Sequence, residues 1–291
     1  MSKDLFHIIK QFCTAITIVD VLWLAGLILF GLWLLKTSFG RNALADSKPR
    51  RNNMPSYLPF IPLFIWFVAT SLAVAVAPHL VGDLQGWQGA FLDNLVRSAG
   101  AITAIAVIIF LARVFFARRL KGFGLNVKTI HKDFLAAFVN LLSVWPLVMT
   151  AIVATIFFGK LIYGQDFEVQ QHEELELITA YSQLPLRILI VILAIVIAPL
   201  LEEMLFRGLF QTAIRSIMET RNLNGAWPSI LISSALFAMV HANTAHWPAL
   251  FVLAVCLGYA YEKSSSLLRP VFIHSFFNAA TLIAVLSQKT A

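Results

Sequence analysis

A chain of 291 residues with 59% hydrophobic and 13% charged residues, at a mean hydropathy of +0.80, is too apolar for an ordinary soluble domain, in which about a quarter of residues are charged. It reads as all-α, a polytopic transmembrane helical bundle. The net charge of +7 does not make it a nucleic-acid binder, because the positive residues fall between apolar runs, where they act as topology signals.

Windows of about 20 apolar residues cross a bilayer core. The first four run roughly over 16–35, 58–78, 95–117 and 134–158, and the second half holds 187–206, 229–243, 247–262 and 270–287. That makes about eight spans. Seven is the alternative count, because the sixth and seventh are short and separated only by residues such as Asn243, Thr244, His246 and Pro248, as in a tight hairpin or a re-entrant pair. The chain divides into an N-terminal four-span region, 1–160, and a C-terminal region, 185–287. The early run from Val21 to Leu35 is not a signal core: the small-residue site Ala43-Leu44-Ala45 lies about ten residues beyond it, past Lys36 and Arg41. Residue 1 onward is therefore expected to be mature protein. Cys13 and Cys256 lie in or beside apolar runs, so neither a disulfide framework nor a cysteine zinc site follows.

Lysine and arginine set the orientation. Lys36, Arg41, Lys48, Arg50 and Arg51, then Arg118, Arg119, Lys121, Lys128 and Lys132, place their two connections in the cytoplasm. The alternate connections are acidic: Asp83 and Asp93 in one, and Asp166, Glu168, Glu173, Glu174 and Glu176 against Lys160 in the other. These belong outside. Arg207, Arg215, Arg221, Lys263 and Arg269 continue the alternation, which leaves both termini outside. The pair His172-Glu173 is not a HExxH zinc motif, since Glu176 stands where the second histidine would be.

The stretch from Ile197 to Gln211 puts Glu202, Glu203 and Arg207 into otherwise apolar sequence. Each charge near the centre of a spanning helix costs about 2.5–3.5 kcal/mol on insertion scales, so such residues face a protein interior or a wet cavity. Glu203 and Arg207 are four apart and share a helix face, while Glu202 sits about 100° round. One carboxylate can thus be held by the arginine while the other points into a cavity. Pro199 either bends this helix or starts it.

Two more polar pairs lie in apolar helices: Phe237 with His241 and His274 with Asn278, each at four-residue spacing. Each polar group needs a partner, and one internal site satisfies them together. Taken singly the plain readings hold: a lone histidine or Asn278 as interhelical glue, Glu203 with Arg207 as a structural ion pair, and Phe237 as packing around the site. Their co-occurrence in the last third of the chain favours function. His79, His131, His246, Asp20 and Arg97 lie at span ends or loops and receive no chemistry. Glu202 and Glu203 lie near the cytoplasmic end of the fifth span, with His274 and Asn278 entering from the same side and His241 about 15–20 Å along the sixth.

These residues permit water-mediated amide hydrolysis. Glu202, with His241, would act as general base, and His274 and Asn278 would donate to the oxyanion. Glu202, His241 and His274 equally form a two-histidine, one-carboxylate zinc set with a position open for water. The metal-independent reading, with no cofactor, is preferred.

Glu202-Glu203-x-x-x-Arg207, Phe237-x-x-x-His241 and His274-x-x-x-Asn278, in this order on hydrophobic helices, closely resemble the motifs of the CPBP family of intramembrane proteases. That family includes type II CAAX prenyl endopeptidases and the bacterial ABI proteins. The resemblance covers roughly residues 185–287. It implies a helical-bundle endopeptidase of a membrane, the bacterial inner membrane by analogy, with its site open toward the cytoplasm. Its implied partners are the lipid bilayer and a peptide or membrane-anchored protein substrate, in some members a prenylated one. Carried over by position, Glu202 and His241 activate water, His274 and Asn278 stabilise the oxyanion, and Glu203 and Arg207 support them. The family has been described both as metalloprotease and as glutamate-type protease. The strongest alternative is a membrane scaffold or regulator on the same fold. An ion-coupled transporter would show related halves, which this sequence lacks. Substrate and oligomeric state are not encoded in these motifs.

Overall fold

The computed structural model describes residues 18–288 except 83, 171–172 and 222, so Cys13, Asp83, His172 and the first two residues of the first expected span lie outside the described residues. Ten helices are described. α1 is Ile18–Lys36. α2 joins Phe60–Phe64, Ile65–Ala69 and Thr70–Val81. α3 is Trp87–Phe115, α4 the short Arg119–Phe123, α5 Ile130–Tyr163 and α6 Glu173–Ala180. α7 is the continuous Leu184–Thr220, α8 Ala226–Met239, α9 Trp247–Ser264 and α10 Leu268–Gln288. There is no β-strand among the described residues, so the bundle is all-α.

Among the described residues, six helical stretches are long and apolar enough to cross a membrane: those of α2, α3, α5, α7, α9 and α10. α1 adds an apolar helix of 19 residues. α8 is different, since its 14 residues rise only about 21 Å, less than a bilayer core. Large apolar side chains such as Leu80, Phe110 and Leu161 stand outward on α2, α3 and α5, as suits helices whose solvent is lipid.

The sixth and seventh apolar runs form a hairpin. α8 ends at Met239, a 3₁₀ turn occupies Thr244–His246, and α9 returns. Asn243 caps that turn by accepting from the Ala245 N–H at 3.0 Å, and the Trp247 indole donates to the His241 carbonyl at 2.9 Å. The backbone of Gln170, from the connection between α5 and α6, reaches His246.

The two ends of the bundle have opposite character. At one, Arg50 pairs with Glu262 at 3.5 Å and Arg269 with Asp133 at 3.1 Å, while Asn52 bonds Ser216 and Tyr261 donates to the Phe123 carbonyl. At the other, α6 sets Ile178 against Leu186, Ile190 and Leu282. Between the ends, Ala101, Ala104 and Ile108 of α3 pack with Leu201, Met204 and Leu205 of α7, Phe237 of α8 and Ala254 of α9. α5 packs along α1, α9 and α10. N-terminal and C-terminal helices thus share cores.

Candidate active site

α7 positions the site through two departures from α-helical register. π-helical turns span Leu193–Ile197 and Met204–Gln211, with Ala198–Glu203 between them. Pro199 neither breaks nor starts this helix. It lacks an N–H, and in the π register the Ala194 carbonyl would take its bond from position 199. Asn278 of α10 fills that gap, its Nδ2 donating to the Ala194 carbonyl at 2.8 Å.

Glu203 is completely buried and engaged through Oε1, while its Oε2 has no partner in the protein. Oε1 accepts from Arg207 Nη1 at 2.9 Å and from His274 Nδ1 at 2.9 Å. Arg207, also 0% exposed, donates a second bond to the Ala254 carbonyl at 3.2 Å and lays its guanidinium carbon 4.5 Å from the centre of the Phe237 ring. Two buried charges are tolerated because each meets an opposite charge and further polar partners.

The pair begins a polar ladder. Glu203, Arg207, Gln211 and Arg215 recur every fourth residue and are all buried. α9 presents Ala254, Gly258 and Glu262 at the same interval, the two helices running parallel there. Gln211 donates to the Gly258 carbonyl at 3.1 Å and to Glu262 at 3.4 Å, and Arg215 lies 3.7 Å from Glu262. Gly258 suits this approach, since a Cβ there would stand 2.8 Å from Gln211 Oε1 and displace its amide. The motif reading misses Gln211, Arg215 and Glu262 as members of this network, although the four-residue interval on both helices is a signal for them.

Glu202 stands apart from the ladder. It is 9% exposed, and its Oε2 has no hydrogen-bond partner within the protein. His274 Nε2 is nearby at 3.9 Å. The ionisable neighbours of Glu202 are His274, His241, Glu203 and Arg207. It also lines a cavity of about 200 Å³ shared with α2, α3 and α6.

His241 is not inside a helix. It lies beyond the α8 cap, where its N–H turns to the Ala238 carbonyl and its side-chain Nδ1 takes over the Phe237 carbonyl at 2.8 Å. A carbonyl only accepts, so Nδ1 carries the proton and, in the neutral ring, Nε2 carries none. The same reasoning applies to His274, whose Nδ1 faces a carboxylate. Phe237 is the hub between them: its ring centre lies 5.0 Å from that of His241, 5.8 Å from that of His274 and 5.3 Å from that of Phe206.

The structure therefore brings Glu202, Glu203, Arg207, Phe237, His241 and His274 to one place, with Asn278 one turn further along α10 on the Ala194 carbonyl. Among the described residues, no group of three or more His, Cys, Asp or Glu is placed to hold a metal ion.

Residues 184–280 match the family model described as Rce1-like, type II CAAX prenyl endopeptidase Rce1-like. A 24.3 kDa Escherichia coli protein described as uncharacterized is 29% identical over 125 residues, 42% of this chain and 56% of the relative. The chain thus spans little more than half the length of that relative. No solved structure matches it. Glu202, Glu203, Arg207, His241 and His274 of this membrane protein all fall within the segment that matches the Rce1-like family model.

Proposed function

We propose that the protein is an intramembrane endopeptidase that hydrolyses a peptide bond of a membrane-associated protein or peptide near the cytoplasmic face, with a prenylated chain as the first substrate class to test. The observation that carries this reading is the contrast at Glu202: beside two histidines, it lines a cavity and makes no hydrogen bond among the described residues, whereas its neighbour Glu203 holds both Arg207 and His274.

Glu202 takes a proton from water, with the unprotonated Nε2 of the neutral His241 ring sharing the role of base, and the hydroxide attacks the scissile carbonyl carbon. His274, anchored through Nδ1 by Glu203, in its imidazolium form offers Nε2–H to the oxyanion. Asn278 spends one amide hydrogen on Ala194 and keeps a second for the same oxyanion. When the intermediate collapses, the proton held by Glu202 passes to the leaving amine, giving a new carboxylate and a new amino terminus. The basic end of the bundle, with Arg50, Arg215 and Arg269, is the cytoplasmic one under the positive-inside rule.

Peptide termini are mapped in cells lacking the protein and restored with wild type or Glu202→Gln at equal membrane abundance. Cleavage products that appear only with wild type support proteolysis. Identical termini, with both versions restoring the phenotype, would make the protein a scaffold. Purified enzyme treated with a chelator is expected to keep its activity; loss reversed by zinc would assign Glu202, His241 and His274 to a metal.

A further inference from the structure

The cavity beside Glu202 is built largely by the N-terminal helices, to which the hydrolytic residues assign nothing. Trp66, Thr70 and Ser71 of α2, Arg97 of α3 and Glu174 of α6 line it together with Glu202. Its polar groups form a series. Glu174 belongs to the α6 end of the bundle, and Arg97 and Ser71 lie below it. Thr70, 8% exposed, is pressed against Gly100, where a Cβ would overlap its hydroxyl. Glu202 stands at the far end, nine residues along α7 from Leu193, another lining residue.

Three features fix what such a space holds. At about 200 Å³ it is below the roughly 300–1,000 Å³ of ordinary ligand pockets and has room for about six waters at ~30 Å³ each. Arg97 interrupts an apolar helix and makes no hydrogen bond or ion pair among the described residues. Its side chain is exposed and lines the cavity, and a charge on an apolar helix needs water or a polar partner. The Glu202 side chain, which lines the cavity and makes no hydrogen bond among the described residues, needs a donor, and water is the donor that the proposed hydrolysis consumes. We infer that this cavity is a hydrated passage that delivers reactant water to Glu202 from the α6 end, opposite the basic end, leaving the cytoplasmic side to the peptide. This rests on the hydrolytic reading for its purpose, but not for its existence.

Ser71 is an exposed lining residue, so Ser71→Cys is the informative variant, with the wild-type chain as the labelling background. In sealed vesicles of each orientation, a membrane-impermeant, charged thiol reagent is expected to label the variant only when applied to the α6 side. In the purified enzyme, attachment of a bulky disulfide-forming reagent is expected to lower kcat about tenfold while leaving KM for the peptide unchanged, and a reducing agent is expected to restore kcat on the same molecules. Labelling only from the basic end, or none from either side, overturns the passage. A raised KM at unchanged kcat overturns it too, because the cavity would then belong to the peptide. If the protein cleaves no peptide at all, one-sided labelling still supports the passage while the proteolytic reading fails.

Discussion

Two faces of one helix treat two neighbouring carboxylates in opposite ways. On one face of α7, Glu203 begins a ladder that continues through Arg207, Gln211 and Arg215, and every rung is tied to α9 or α10. About 100° round, Glu202 makes no hydrogen bond among the described residues and lines a cavity. The ladder shows what it takes to keep charge in an apolar bundle: an ion pair, backbone carbonyls and a ring face. Glu202 lacks that support, and a group left this way in a packed interior is poised for chemistry.

The largest expected effect comes from removing the exception. Glu202→Gln keeps shape and polarity but cannot accept the proton, so turnover is expected to fall about 100- to 10,000-fold at unchanged membrane abundance and unfolding temperature. A purified-enzyme assay against any substrate found by terminus mapping reads this directly, and full turnover by the variant would sink the mechanism.

Glu203→Gln should break the comparison the other way. It strips Arg207 and His274 of their shared carboxylate and leaves a buried guanidinium uncompensated, at a cost of about 3–5 kcal/mol in stability. Detergent-solubilised protein should unfold at a markedly lower temperature. Replacing both partners together, Glu203→Met with Arg207→Met, should recover much of that loss without recovering turnover, since His274 still lacks its anchor. A double variant no more stable than Glu203→Gln would show that the pair is worth more than apolar packing.

Asn278→Ala tests the join between fold and site. It leaves the Ala194 carbonyl without the donor that Pro199 cannot supply, for which about 1–3 kcal/mol of stability is expected to be lost. If Asn278 also meets the oxyanion, kcat should drop by more than Pro199→Ala in the same background restores. Full rescue of turnover by Pro199→Ala would confine Asn278 to positioning.

Local rules make part of this site legible in the amino-acid sequence. Four-residue spacing puts Glu203 on Arg207, and the 100° step turns Glu202 away. The short sixth and seventh runs, with Asn243 and Pro248 between them, read as a hairpin. Other features depend on how helices meet. Spacing from Phe237 places His241 within a helix, whereas its side chain takes the carbonyl that its own N–H would have taken and closes α8 instead. Arg97 reads as a span-end charge because nothing in α3 shows that it lines a cavity with Glu202. The fifth span ends at 206 by hydropathy, which falls there, yet α7 continues to Thr220, its polar side chains bonded to α9 carbonyls 47 residues on in the sequence. Hydropathy counts a buried, partnered arginine as an end.

Gln211 offers the smallest and most selective probe of the ladder, because it is uncharged and touches neither histidine. Its amide donates to the Gly258 carbonyl and to Glu262, and Glu262 also receives Arg50 and Arg215. In Gln211→Leu the carbonyl loses a donor while Glu262 keeps two cations, so the cost should stay near 1 kcal/mol, the value of one ordinary hydrogen bond. The unfolding temperature should fall slightly and kcat should not move. A large loss of turnover in this variant, at nearly native stability, would mean that the ladder transmits strain to Glu202 through the π-helical turn of Met204–Gln211, and the two faces of α7 would no longer count as independent.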